Sequence, residues 1–315
     1  IVGFMQIKDN AEESVDTLLE NFSNIKKNEL YIDQYYTFIN LKEDKEKNVI
    51  IDKINSIELV NLSFKYPNSN DYILKDISFR MEKNERVAIC GLNGCGKTTL
   101  IKLIMGLYED YKGEILINDI NIKKINKRDL YKKMSVLFQD FTKFESTVAE
   151  NIACSNLDIL NNDIELVKYS ESLNLFEELK LYNRDLNQML GIWFDGAKEL
   201  SFGQWQKLAI ARSLLKESDV FVFDEPDSSI DIEYFNKHFE EIGARLSNKL
   251  LILVTHKFST YYSDFTKIIY LENGRILEIG NHCELIKLKG KYFKLYKKYL
   301  ESIGTKYEER TKINI

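Results

Sequence analysis

The segment Gly91-Leu92-Asn93-Gly94-Cys95-Gly96-Lys97-Thr98-Thr99 spaces its glycines, lysine and threonines in the pattern GxxxxGK[ST]. Glycines let a main chain wrap until successive N–H groups point inward, and a helix starting near Lys97 adds its positive end. Such a run can cradle a triphosphate. Lys97 is placed to reach the β- and γ-phosphates, and the Thr98 hydroxyl to ligate Mg²⁺. A second feature is Val220-Phe221-Val222-Phe223-Asp224-Glu225-Pro226, an apolar run ending in paired carboxylates. Asp224 at a strand end can hold Mg²⁺, and Glu225 beside it can polarise a water for in-line attack on the γ-phosphorus. Alone, that acidic pair also reads as a cap to the next helix; together with the loop at 91–99 it points to phosphoryl chemistry.

These groups work only if elements hold them at one edge. Arg86-Val87-Ala88-Ile89-Cys90 reads as a buried strand feeding the glycine turn, and Leu100, Ile101, Leu103, Ile104 and Leu107 as the buried face of the helix after it. Residues 250–254 form another buried-strand run. Ile57, Leu59, then Leu62, Phe64 and Tyr66, and later Ile77, Phe79 and Met81, alternate as half-buried strands do. Asn273-Gly274 between two apolar runs signals a type I′ hairpin. Residues 145–217 read as helical throughout. Strands alternating with helices argue for an α/β sheet. Ahead of them, Val15, Leu18, Leu19, Phe22, Ile25, Ile32, Tyr35, Tyr36 and Ile39 recur at helical spacing, predicting one or two amphipathic helices. A charged run from Lys42 to Lys47 follows as a solvated linker.

The run Leu200-Ser201-Phe202-Gly203-Gln204, upstream of the strand ending at Asp224, resembles the LSGGQ signature of the ATP-binding cassette (ABC) family. The resemblance implies a P-loop NTPase core of α/β class with an antiparallel β subdomain and an inserted α-helical subdomain. It covers residues 53–300 and implies a nucleotide-binding set of Gly91, Asn93, Gly94, Cys95, Gly96, Lys97, Thr98 and Thr99. Tyr66 resembles the aromatic that stacks on adenine, and Gln139 the glutamine that senses Mg²⁺ and contacts a transmembrane domain. Asp231 falls at the D-loop position and His256 at the switch histidine. Metal contacts fall to Thr98, Gln139 and Asp224, and catalytic roles to Glu225, His256 and Lys97. Ser201, Gly203 and Gln204 would face the γ-phosphate held by a second subunit. Phe202 stands where the family has glycine, which puts in doubt the loop's backbone freedom and its fit against that nucleotide.

The resemblance further implies an ATPase motor of an exporter, with ATP and Mg²⁺, a head-to-tail dimer and a transmembrane domain as partners, on the cytoplasmic face of the membrane. The variant Gln204-Trp205-Gln206-Lys207 is similar to cassettes of bacterial peptide exporters, including lantibiotic-type ones. A soluble ABC ATPase, or an ATP-dependent clamp uncoupled from transport, is the competing reading. The expected division is 1–52 as the end of a membrane-domain helix plus linker, 53–301 as the ATP-binding domain and 302–315 as a tail. The chain does not begin with Met, which suggests a piece of something longer. With 44 Lys+Arg against 49 Asp+Glu, the net charge of −5 makes nucleic acid a poor partner. Cys90, Cys95, Cys154 and Cys283 show neither a CxxC pair nor zinc-ligand spacing, as expected of buried free thiols.

Overall fold

A computed structural model describes residues 2–41, 47, 49–67, 69–227, 239, 241–255, 262 and 264–302. The chain divides into two units, Ile1–Glu46 and Lys47–Ile315. The first is built on a single helix, α1 (Val2–Ile39). With no proline in the span, nothing interrupts its hydrogen-bond ladder. Its apolar residues Leu18, Phe22, Ile25, Ile32 and Tyr36 are all exposed. Among the described residues, no helix is long and apolar enough to cross a membrane.

The second unit contains two sheets. In the first, β1 (Ser56–Phe64), β2 (Leu74–Glu82), β4 (Lys112–Ile117) and β5 (Ile120–Asn121) pair antiparallel in the order β2-β1-β4-β5. Leu59 and Leu62, three apart, both face the core because the register shifts between them, with Asn61 at φ 48. A one-residue bulge restores the inward face that strict alternation would lose.

The second sheet has the order β10-β9-β3-β8-β7-β6, drawing on β3 (Arg86–Cys90), β6 (Met134–Leu137), β7 (Val220–Asp224), β8 (Leu250–Thr255), β9 (Lys267–Glu272) and β10 (Arg275–Gly280). All neighbours run parallel except the β9–β10 hairpin, whose turn Asn273-Gly274 has φ 50 and 76, as a type I′ turn requires. Both faces are covered. Val87, Ile89, Val222 and Ile252 join the core with α2 (Lys97–Ile104), whereas Ala88, Cys90, Phe223 and Leu253 join the core on the opposite face. This two-sided burial explains why the strands read as unbroken apolar runs.

Helix α3 (Lys127–Lys133) leads into β6. The helical layer comprises α4 (Val148–Ala153), α5 (Asp163–Ser172), α6 (Leu175–Glu178) and α7 (Phe202–Leu215), packed around Ile152, Leu166, Leu175, Trp205 and Leu208. The last described elements are α8 (His282–Leu288) and α9 (Lys291–Ser302), the latter burying Tyr292, Tyr296 and Leu300 at i, i+4 and i+8.

Three expectations need correction. Residues 185–201 are not helical: Gly191 and Gly196, at φ 104 and 73, break the run, and Leu190 bridges Lys198 instead. Leu107 is exposed, because α2 ends at Ile104 and Gly106, at φ 70, turns the chain away. Cys90 and Cys95 are buried, but Cys154 and Cys283 are exposed.

Candidate functional site

Strand register brings the chemistry to one edge. Cys90 of β3 pairs with Thr255 of β8, and Asp224 of β7 pairs with Val254, so these three strands finish side by side. In open parallel sheets, ligands bind beyond such carboxyl ends. The loop leaving β3 needs its glycines for different reasons. Gly91, at φ 151, approaches β9 so closely that a Cβ would lie 2.1 Å from the Leu271 carbonyl oxygen. Gly96, at φ 106, has room for no more, a Cβ meeting Leu74 Cδ2 at 2.7 Å. Gly94, at φ 77, faces open space, so only its backbone conformation demands glycine.

Gly96 caps α2 without a side-chain hydrogen bond, leaving the helix's first N–H groups available to an anion. Around them lies a cleft of about 440 Å³, lined by Asn93, Gly94, Gly96, Lys97, Thr98, Thr99, Gln139, Glu225 and Ile73. Lys97 is buried, and its Nζ donates to the carbonyls of Gly91 at 3.0 Å and Leu92 at 3.3 Å. It also stands 3.9 Å from Glu225 Oε1. The loop's own oxygens thus hold a cation where phosphate oxygens could take it over.

Beneath the cleft, Asp224 is 1% exposed, and among the described residues neither carboxylate oxygen has a partner within hydrogen-bonding geometry, the nearby Thr98 hydroxyl included. Burial pushes its pKa up to about 6; the Thr98 hydroxyl opposes this, the Glu225 charge adds to it, and the Lys97 charge works against it. Orphaned buried oxygens of this kind suit a divalent cation. Among the described residues, no cluster of three or more His, Cys, Asp or Glu could hold a metal unaided. One carboxylate, the Thr98 hydroxyl and the Gln139 amide fit Mg²⁺, which keeps several waters and completes its octahedron with phosphate oxygens.

Glu225 adopts φ 51, a left-handed conformation unusual for a side chain with a Cβ. Its N–H donates to the Val254 carbonyl at 2.8 Å, and its carbonyl accepts from Gln206 Nε2 at 3.3 Å. At 8% exposure its carboxylate borders the cleft beside Lys97. Such strain collects at functional sites, held by the surrounding structure.

The other expected residues divide. Gln139 lines the cleft. The Tyr66 hydroxyl is 3.1 Å from Thr99 Oγ1 and its ring packs edge-on against Phe64 and Tyr108, which puts it beside the phosphate-loop helix rather than in the cleft wall. Cys95, within the loop, is buried, and burial raises its thiol pKa. Asp231 and His256 lie outside the described residues.

Ser201, Gly203 and Gln204 do not line the cleft; they open α7. Gln204 N–H donates to Ser201 Oγ at 3.3 Å and Ser201 N–H to Gln204 Oε1 at 2.9 Å, a reciprocal capping box. Phe202 is helical, and neither it nor Gly203 has a positive φ, so the ring costs this loop no backbone freedom. It is 46% exposed, packed at 5.5 Å on Phe141 with Lys143 Nζ 5.3 Å from its centroid.

Sequence reasoning missed three groups. Ile73 walls the cleft with no motif to mark it. Buried Asp227 accepts from Thr255 Oγ1 at 3.1 Å; a third acid in the run 224–227 was its signal. Gln206 sits on the buried face of α7 between Trp205 and Leu208, and a polar residue there was the clue.

Residues 74–228 match the family model described as ABC transporter. The subtilin transport ATP-binding protein SpaT of Bacillus subtilis is 35% identical over 98% of this chain and 52% of that protein. The nisin transport ATP-binding protein NisT of Lactococcus lactis is 32% identical over 94% of this chain and 50% of that protein. The chain therefore spans about half the length of these curated relatives. A solved structure of a bacterial Atm1-family ABC exporter with ATP bound shares the fold, with TM-score 0.75 and 24% identity over 86% of this chain and 47% of that one. Glycine cradle, strand-end acids, signature helix and these likenesses together make this chain a member of the ABC transporter family, carrying its ATP-binding domain.

Proposed function

We propose that this domain binds and hydrolyses ATP and drives an exporter. The observation that carries the reading is Glu225, a buried carboxylate held in a strained conformation beside Lys97 at the mouth of a glycine-lined cleft. The N–H groups of residues 92–98 and the α2 N-terminus bind the phosphates, and Lys97 exchanges its loop carbonyls for phosphate oxygens. Thr98, Gln139 and Asp224 would hold Mg²⁺, which when bound neutralises charge on the phosphate oxygens. Glu225 orients the attacking water and accepts its proton as the water oxygen approaches the γ-phosphorus in line. His256 and Asp231 are assigned at the site by their place in the family pattern.

The cleft takes no residue from 201–204 of its own chain, which supports a composite site completed by Ser201 and Gly203 of a second copy. The relatives named for subtilin and nisin transport support a peptide cargo. In that reading residues 1–52 end a membrane-domain helix and its linker, 53–301 are the motor on the cytoplasmic face, and 302–315 are a tail. The test is phosphate release from the 315-residue chain. Glu225→Gln should lose turnover by 10²-fold or more while keeping ATP affinity; unchanged turnover would remove Glu225 as the base.

A further inference from the structure

We propose that Gln206 is a positioning residue for Glu225, linking the signature helix of each chain to the base of its own site. The inference rests on the reading of Glu225 as the base. β7 ends at Asp224, so no strand dictates the conformation of Glu225, which nevertheless holds φ 51. Two hydrogen bonds clamp its main chain from opposite sides: its N–H reaches the Val254 carbonyl of β8, and its carbonyl receives the Gln206 amide of α7. Pro226 follows, contributing no N–H to a local turn and restricting the residue before it. Gln206 thus holds the carbonyl side of Glu225 from a helix outside the strand-end segment.

Gln206 suits that task. It is 1% exposed, and a neutral amide donor leaves the charge of the neighbouring carboxylate unaltered. It lies on α7 two residues beyond Gln204, in the first turns after the capping box that fixes the helix start. The helix that offers Ser201 and Gly203 at its N-terminus thus holds the peptide unit of its own Glu225. A displacement of α7 as its N-terminus meets a second copy's nucleotide shifts the carboxylate across the cleft. A misplacement near 1 Å in such a group costs about 10²-fold in rate.

The test compares steady-state ATP hydrolysis by the 315-residue chain with Gln206→Met, which keeps length and volume but has no donor, and Gln206→His, whose ring N–H can replace the amide. Gln206→Met should lower kcat about 10- to 100-fold with KM for ATP within about twofold, and Gln206→His should recover a large part of that loss. Should Gln206→Met fail to fold, Gln206→Leu, also neutral and without a donor, takes its place under the same criteria. Full kcat in the donor-less variant overturns the proposal, as does a fall in kcat matched by an equal loss of ATP affinity. Glu225→Gln is measured alongside. Wild-type turnover there defeats the base reading and this inference with it; an inactive Glu225→Gln beside an unimpaired Gln206→Met defeats this inference alone.

Discussion

The left-handed conformation of Glu225 can be read out by comparing Glu225→Gly with Glu225→Ala in the nucleotide-free chain. Both remove the carboxylate and its proximity to Lys97 at 3.9 Å, so those losses cancel between them. What differs is the Cβ. At φ 51 a Cβ costs about 1–2 kcal/mol that glycine escapes. Glycine in turn loses about 0.5–1 kcal/mol more chain entropy on folding. At mid-values the balance favours Gly by about 0.75 kcal/mol, or about 1.5–3 °C in Tm at ~2–4 °C per kcal/mol for a large domain. At a residue of ordinary negative φ the sign reverses, because only the entropy difference remains and Ala melts higher. Differential scanning calorimetry of the two variants in one buffer decides between signs. Glu225→Ala melting above Glu225→Gly would refute the strained geometry on which the base assignment and the Gln206 clamp both rest.

Further outcomes follow from the same geometry. Gly91→Ala drives a Cβ against the fixed Leu271 carbonyl and should abolish soluble expression, whereas Gly94→Ala meets nothing and should cost only about 1–2 kcal/mol of backbone strain, read as a modest fall in Tm. Ser201→Ala removes the α7 cap, costing about 1 kcal/mol in thermal unfolding, and should cut turnover while ATP binding measured by fluorescence-labelled nucleotide stays intact. Phe202→Gly gives up the contact with Phe141, about 1 kcal/mol, so its Tm should fall; a rise would mean that the ring strains the signature loop.

Much of the site was legible because phosphate binding dictates local sequence. The glycines at 91, 94 and 96 must adopt positive φ within one turn, and Asp224 must end a buried strand, so spacing and residue type report them directly. The hairpin at Asn273-Gly274 was legible for the same reason. What the sequence hid is made by tertiary contact. Ile73 enters the cleft because β2 begins beside the glycine loop, and Gln206 finds Glu225 because α7, packed against β6, passes the residue that follows β7. The break at 185–201 was hidden because Leu186, Leu190, Trp193, Ala197 and Leu200 fall at helical spacing, a pattern that Gly191 and Gly196 interrupt. Phe202 misled by comparison with the family's glycine: the position is helical here, where a Cβ carries no penalty.

The most direct test of the account is a structure of Glu225→Gln with Mg²⁺ and ATP. There Lys97 Nζ should have moved from the Gly91 carbonyl onto the phosphates, with Ser201 Oγ of a second copy within about 2.5–3 Å of the γ-phosphate. Nucleotide bound with residues 201–204 remote from every phosphate, in every pairing of copies, would contradict it.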